Sequence, residues 1–131
     1  MILVDTSVLI DFFQGKRNPS VHKFKDYISK GFPFGITSSI LQELLQGTKS
    51  KKDFNQLKRY LETQKFFYPK DAINTFIQAA KLYKKCRSKG FTPRGSIDCL
   101  IAQIAIENGL SLLHNDKDFD RIAKDSDLTI F

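Results

Sequence analysis

The stretch MILVDTSVLIDFF, Met1 to Phe13, decides the fold. Four apolar residues, Met1 to Val4, run directly into Asp5; two hydroxyl residues follow, and a second apolar stretch occupies Val8 to Phe13. That order reads as buried strand, carboxylate, helix. A continuous apolar run suits a parallel strand covered on both faces, and Thr6 or Ser7 can cap the helix behind it. The carboxylate then stands at the carboxyl end of a central strand, where open α/β sheets bind their ligands. Asp11, on the polar side of the same helix, reads as solvated.

The pattern repeats along the chain. Val21, Phe24 and Ile28 recur at helical spacing until Gly31 ends the helix. A short strand is expected over Phe34 to Thr37, and Ser39 with Gln42 has the pattern of a capping box opening a helix that Gly47 closes. A helix over Lys51 to Thr63 turns Phe54, Leu57 and Leu61 inward, and Phe66 to Tyr68 makes a brief strand. From Asp71 to Ser88 a long helix places Ala72, Phe76, Ala79, Ala80 and Tyr83 on one face. Ser96 can cap a helix so apolar that it must be buried nearly all round. A strand over Leu110 to Leu113, a loop over His114 to Asp118, a short helix over Phe119 to Lys124 and a strand over Leu128 to Phe131 complete the chain. Strands alternating with helices, without hairpin signals, imply a mostly parallel sheet of four to five strands in a three-layer α/β/α sandwich.

At 131 residues the chain is expected to form one domain, 1–131. Its 41% hydrophobic and 27% charged residues are ordinary for a globular protein. No apolar run approaches the roughly 18 residues of a membrane span, and no basic stretch precedes an apolar one at the N-terminus. The expected compartment is the cytoplasm. Cys86 and Cys99 form neither a CxxC motif nor a disulfide framework; both read as small core residues. Phe12, Phe13, Phe24, Phe54 and Phe76 fall at helical core positions. Lysine and arginine outnumber acids 21 to 14, a net charge of +7 that favours polyanionic partners. Lys49, Lys51 and Lys52 are candidate RNA contacts within one basic stretch.

Four acids can converge on one end of the sheet. Asp5 and Asp116 follow strands, Asp98 lies in the first turn of the most apolar helix, and Glu43 lies about 60° from Ile40, at the edge of its helix's apolar face and beside the core. Taken singly, Asp98 could serve the helix dipole, and Glu43 could be a surface acid. Asp116 and Asp118 flank a turn, where Asp is common, and Asp118 suits the cap of the next helix. Asp5 is harder to dismiss, because an unpaired buried charge is costly. Carboxylates about 4 Å apart repel by roughly 4 kcal/mol at an effective dielectric near 20. Either protons or a divalent cation must neutralise them. An all-oxygen set without His or Cys favours magnesium or manganese.

The segments DTSVLIDFF (5–13), SSILQELLQG (38–47), SIDCLIAQIAIENGLSLL (96–113) and HNDKDF (114–119) together resemble the PIN-domain nucleases. The compact form resembles the VapC toxins of toxin–antitoxin pairs. The resemblance implies a PIN-like fold and a magnesium- or manganese-dependent endoribonuclease in which a metal-activated water attacks RNA phosphate. It makes Asp5, Glu43, Asp98 and Asp116 the metal-binding quartet, Thr6 or Ser7 the polar residue beside the first acid, and Asp118 a weaker acid of the same site. It further implies a homodimer neutralised by a small antitoxin, and structured RNA, most often transfer RNA, as substrate. His114 stands where the family has Thr or Ser, and reads as a tolerated polar neighbour rather than a ligand. Arg94, just ahead of Asp98, is a candidate phosphate contact. The competing reading is a non-catalytic RNA-binding module of the same fold, although concentrated negative charge beside phosphates would serve a binder poorly. A receiver-type phosphoryl acceptor is a third reading, for which the expected neighbouring acid pair is missing.

Overall fold

In the computed structural model, which covers Met1–Phe131, five short strands lie parallel in the order β3-β2-β1-β4-β5. The strands are β1 Ile2–Val4, β2 Gly35–Ile36, β3 Lys65–Phe66, β4 Ser111–Leu113 and β5 Thr129–Ile130. β1 sits at the centre, pairing with β2 at Leu3 opposite Gly35 and with β4 from Ile2 opposite Ser111 to Val4 opposite Leu113. Its three residues are fully buried, as a strand covered on both faces requires. Gly35 is needed on β2, because a Cβ there would lie 2.7 Å from the Phe67 ring.

Seven helices cover the sheet: α1 Thr6–Phe13, α2 Pro19–Ser29, α3 Ser38–Gln46, α4 Lys51–Glu62, α5 Asn74–Ser88, α6 Ser96–Glu107 and α7 Lys117–Lys124. Right-handed crossovers put α1 to α4 on one face, since β1, β2 and β3 progress in one direction. The reversed direction from β3 to β4 and β5 puts α5 to α7 on the other. Packing follows that division: α1 meets α2 and α3, whereas α6 meets α5 and α7. The strand order reverses between β1 and β4, so the crevice of the sheet opens at their carboxyl ends. No helix is long and apolar enough to cross a membrane.

Several local expectations shift. Thr37, not Ser39, caps α3, its Oγ1 accepting from the Ile40 N–H at 3.2 Å. Asp116, not Asp118, caps α7, and Gly95 rather than Ser96 occupies the cap position of α6. α5 begins at Asn74, because Asp71 accepts from the N–H groups of Ile73 and Asn74 and holds a turn there instead. It buries Thr75, Ala79, Leu82 and Cys86, a stripe rotated from the expected one, and leaves Phe76 49% exposed. Phe24 is buried and Phe12 packs on the core, but Phe13 and Phe54 are exposed along with Phe76. Both cysteines are free and buried, and burial pushes the Cys99 thiol up to about 12.

Candidate functional site

Asp5 is fixed from two sides. Its backbone N–H donates to the Leu113 carbonyl at 2.9 Å, extending the β1–β4 ladder by one residue. Its side chain caps α1, Oδ2 accepting from the Ser7 N–H at 3.0 Å and from Ser7 Oγ at 2.6 Å. The carboxyl is buried, and that burial raises its pKa despite the Ser7 hydrogen bonds, with the charge of Asp116 adding to the rise. Thr6 Oγ1 beside it is buried without a partner at normal hydrogen-bond geometry. It lies near enough to Glu43 to favour that carboxylate's charged form.

Carboxylate oxygens of Asp98, Asp116 and Asp118 come within 4.8 Å of one another. Asp98 rises from the first turn of α6, and its pKa is pushed up to about 7, chiefly by burial and then by the charges of Asp5, Asp116, Asp118 and Glu43. Five acids therefore act on a single locus. Glu43 is the outlying member. It is exposed to solvent on α3, not tucked beside the core, because the apolar face of that helix is centred on Ile40 and Leu44. Its pKa is nevertheless raised, by partial burial of the carboxyl and by the charge of Asp5.

Arg94 is exposed, yet its guanidinium turns onto two of these acids instead of standing free. Its Nη2 donates to Asp116 Oδ1 at 2.9 Å and its Nε to Asp118 Oδ2 at 3.1 Å, while its backbone N–H also reaches Asp118 Oδ2 at 3.2 Å. These acids hold the guanidinium in its charged form. Lys49, Lys51 and Lys52 are exposed around the α3–α4 turn, outside the cluster.

Two features escaped the sequence reading. Asp11 is not solvated: its carboxylate accepts from Asn18 Nδ2 at 3.0 Å and from Asn115 Nδ2 at 2.9 Å, with Lys16 at 3.6 Å. The Asn115 N–H donates to Ser7 Oγ at 2.9 Å, so α1 grips the loop that delivers Asp116. The second is the setting of His114, read from the sequence only as a polar neighbour: its side chain is 7% exposed and bonded at both ring nitrogens. Neither has a local signature, because every partner lies on another element or depends on the path of the loop.

The donor set suits a hard divalent cation. It is all oxygen, it is short of positive charge at Asp98, and it includes an orphaned buried hydroxyl at Thr6. Beside it, an open groove of about 690 Å³ runs from Glu43 between α1, α3 and α4, lined by Ile10, Phe13, Leu44, Leu57 and Tyr60.

The family profile described as "PIN domain" matches residues 2–125. Ribonuclease VapC11 of Mycobacterium tuberculosis is 32% identical over 129 residues, which span 98% of this chain and 96% of that protein. A VapC ribonuclease of Mycobacterium bovis matches to the same extent. Among solved structures, VapBC2 from Rickettsia felis bound to a promoter DNA fragment aligns with a TM-score of 0.74 at 20% identity, covering 100% of this chain and 98% of that one. VapBC-1 from nontypeable Haemophilus influenzae aligns with a TM-score of 0.74 at 22% identity, covering 100% and 97%. At such identities the structural likeness speaks to fold alone.

Proposed function

The chain belongs to the PIN-domain family, and on that premise we propose that it is a magnesium- or manganese-dependent endoribonuclease acting as the toxin of a toxin–antitoxin pair. The observation that carries this reading is the convergence of Asp98, Asp116 and Asp118 within 4.8 Å, with Asp98 pushed up to about 7. A fold that holds a carboxyl in that condition stabilises its proton, or a cation in its place. Asp5, Asp98 and Asp116 would hold the ion, with Asp118 and Glu43 completing the acidic ring. A divalent ion bound there would supply a water of lowered pKa and a counter-charge for the phosphate under attack.

The protein's own groups do the rest. Asp98, pushed up to about 7, would have to be ionised to serve as a ligand, and so would release its proton. Ser7 keeps Asp5 oriented by donating through both its N–H and its hydroxyl. Arg94 is the resident counter-charge of Asp116 and Asp118, and its fork of donors would serve a phosphate at the rim were those carboxylates neutralised otherwise. Lys49, Lys51 and Lys52 then contact the RNA backbone along the open side, where charge contacts position the strand without reading its sequence. A structured RNA such as transfer RNA is the substrate class the family resemblance favours, in the cytoplasm.

The partners of this reading are a small antitoxin and a second copy of the chain. The apolar groove that starts at Glu43 would receive the antitoxin segment, its open floor of Ile10, Phe13, Leu44, Leu57 and Tyr60 suiting an apolar side of a peptide. The uncovered apolar residues at the start of α5, Ile73 at 72% exposure with Phe76 and Ile77, would meet in the homodimer. The reading is tested by cleavage of RNA with magnesium or manganese, with EDTA, and with Asp5→Asn and Asp98→Asn proteins that retain native circular dichroism. Cleavage should need the metal and vanish in both variants. Full activity in EDTA, or in both variants, would sink the mechanism.

A further inference from the structure

We propose that His114 is a positioning residue of the acidic site: its imidazole holds the loop that presents Asp116 and thereby sets the affinity of the carboxylate cluster for a divalent cation. The proposal rests on the metal-site reading above. Asp116 stands just ahead of α7 with extended backbone, φ −136° and ψ 118°. Its N–H precedes the helix, so the helical ladder offers no acceptor, and His114 Nδ1 takes it at 3.1 Å.

A backbone N–H can only donate, so Nδ1 carries a lone pair. The ring proton of the neutral imidazole is then on Nε2, which faces Asp120 Oδ1 at 3.1 Å. The remaining freedom of the ring is taken by packing. The side chain is 7% exposed and its ring lies 5.3 Å from that of Phe119, tilted by 44°. The carbonyl of His114 is fixed as well, accepting from Ser20 Oγ on α2 at 2.8 Å.

Asp116 is thereby held from its main chain, while its side chain does two other jobs. Oδ1 caps the N–H of Asp118 at 3.0 Å and meets Arg94 at 2.9 Å. Losing the Nδ1 acceptor removes no charge from the cluster. It leaves the buried side of the Asp116 N–H without its partner and lets the carboxylate drift from Asp98 and Asp118. Outer-sphere groups that orient a ligand in this way typically alter metal affinity by roughly 10- to 100-fold when removed.

The test is calorimetric titration of manganese into the full-length wild-type protein and into H114L, H114N, H114Q and D116N, with melting temperature in EDTA recorded for each. Asn can place Oδ1 where Nδ1 was and accept from Asp116; Leu and Gln cannot. H114L should weaken manganese by at least roughly tenfold, H114Q should follow it, and H114N should stay close to wild type. H114Q carries the comparison alone should H114L fail to fold. Wild-type affinity in H114Q, or equal losses in H114N and H114Q, would overturn the proposal. D116N separates the two levels. Unchanged manganese binding in D116N would defeat the metal-site reading itself, whereas weakened D116N beside unaffected H114Q defeats only the role of His114. Nitrogen-15 spectra of the imidazole should show the Nε2–H form; the Nδ1–H form would also overturn the proposal.

Discussion

The start of α6 and the loop between β4 and α7 bring carboxylates to the same place, but they are held in different ways. Asp116 on the loop and Asp118 in the first turn of α7 share the Arg94 guanidinium, and the Asp116 backbone is tied to His114 while Asn115 is tied to Ser7 and Asp11. Asp98 on α6 has no such partner. It faces four other acids from a partly buried position, and its pKa is pushed up to about 7. The deficit of positive charge is thus local. The loop side has its counter-charge in Arg94, and the helix start is the part left to a proton or a cation.

Asp98→Asn is the sharpest way to break this contrast. Cleavage of RNA should fall by more than the roughly 100-fold that outer-sphere changes reach, while the metal-free fold becomes more stable, because a repelled charge has gone. A melting curve in EDTA reads the second effect. Asp116→Asn should lose activity without that gain, since it strands one arm of Arg94. Equal shifts in the two variants would erase the distinction.

The pH dependence follows from the same asymmetry. Asp98 binds its proton more tightly folded than unfolded, so between about pH 4 and pH 7 the native state holds more protons and stability falls as pH rises. The metal-free protein should therefore melt at lower temperature at pH 7.5 than at pH 5.5, the raised carboxyls of Asp5 and Glu43 acting in the same direction. Metal must displace that proton, so manganese affinity should climb across the same window. A melting temperature that rises toward pH 7.5 in EDTA would contradict the placement of the deficit.

Arg94→Gln probes the loop side. Removing the guanidinium should tighten manganese binding by roughly three- to tenfold, the scale of two exposed ion pairs, and at the same time lower RNA cleavage. Tighter metal with undiminished cleavage would leave Arg94 as counter-charge only. Smaller effects are expected from the exposed limb. Glu43→Gln should reduce cleavage less than any change at Asp5, Asp98 or Asp116. Lys51→Ala and Lys52→Ala should each flatten the salt dependence of RNA binding by about one unit of slope without altering metal affinity.

The legible part of the molecule was the part encoded by short-range pattern. Apolar runs ending in an acid gave β1 with Asp5 and β4 with the loop to Asp116, and the order of strands and helices implied the parallel sheet. The amphipathic reading failed where a helix has a long apolar surface: on α5 the sequence offers several stripes, and contact with α6 selects Thr75, Ala79, Leu82 and Cys86. Capping failed by one or two residues wherever neighbouring Ser, Thr or Asp competed for the same N–H groups, as at Thr37 and Asp116.

What the sequence determined by itself was the identity and order of the acids and the elements that carry them, because strand and helix periods are local properties of the chain. The tertiary structure alone decided how those acids are held. Arg94 meets Asp118 across 24 residues, and Asn115 reaches Asp11 across 104. Such partners are chosen by the reversal of strand order between β1 and β4, which brings the two loops together. The first stretch of the chain supplies the central acid; the crevice beside it exists only once β4 has docked.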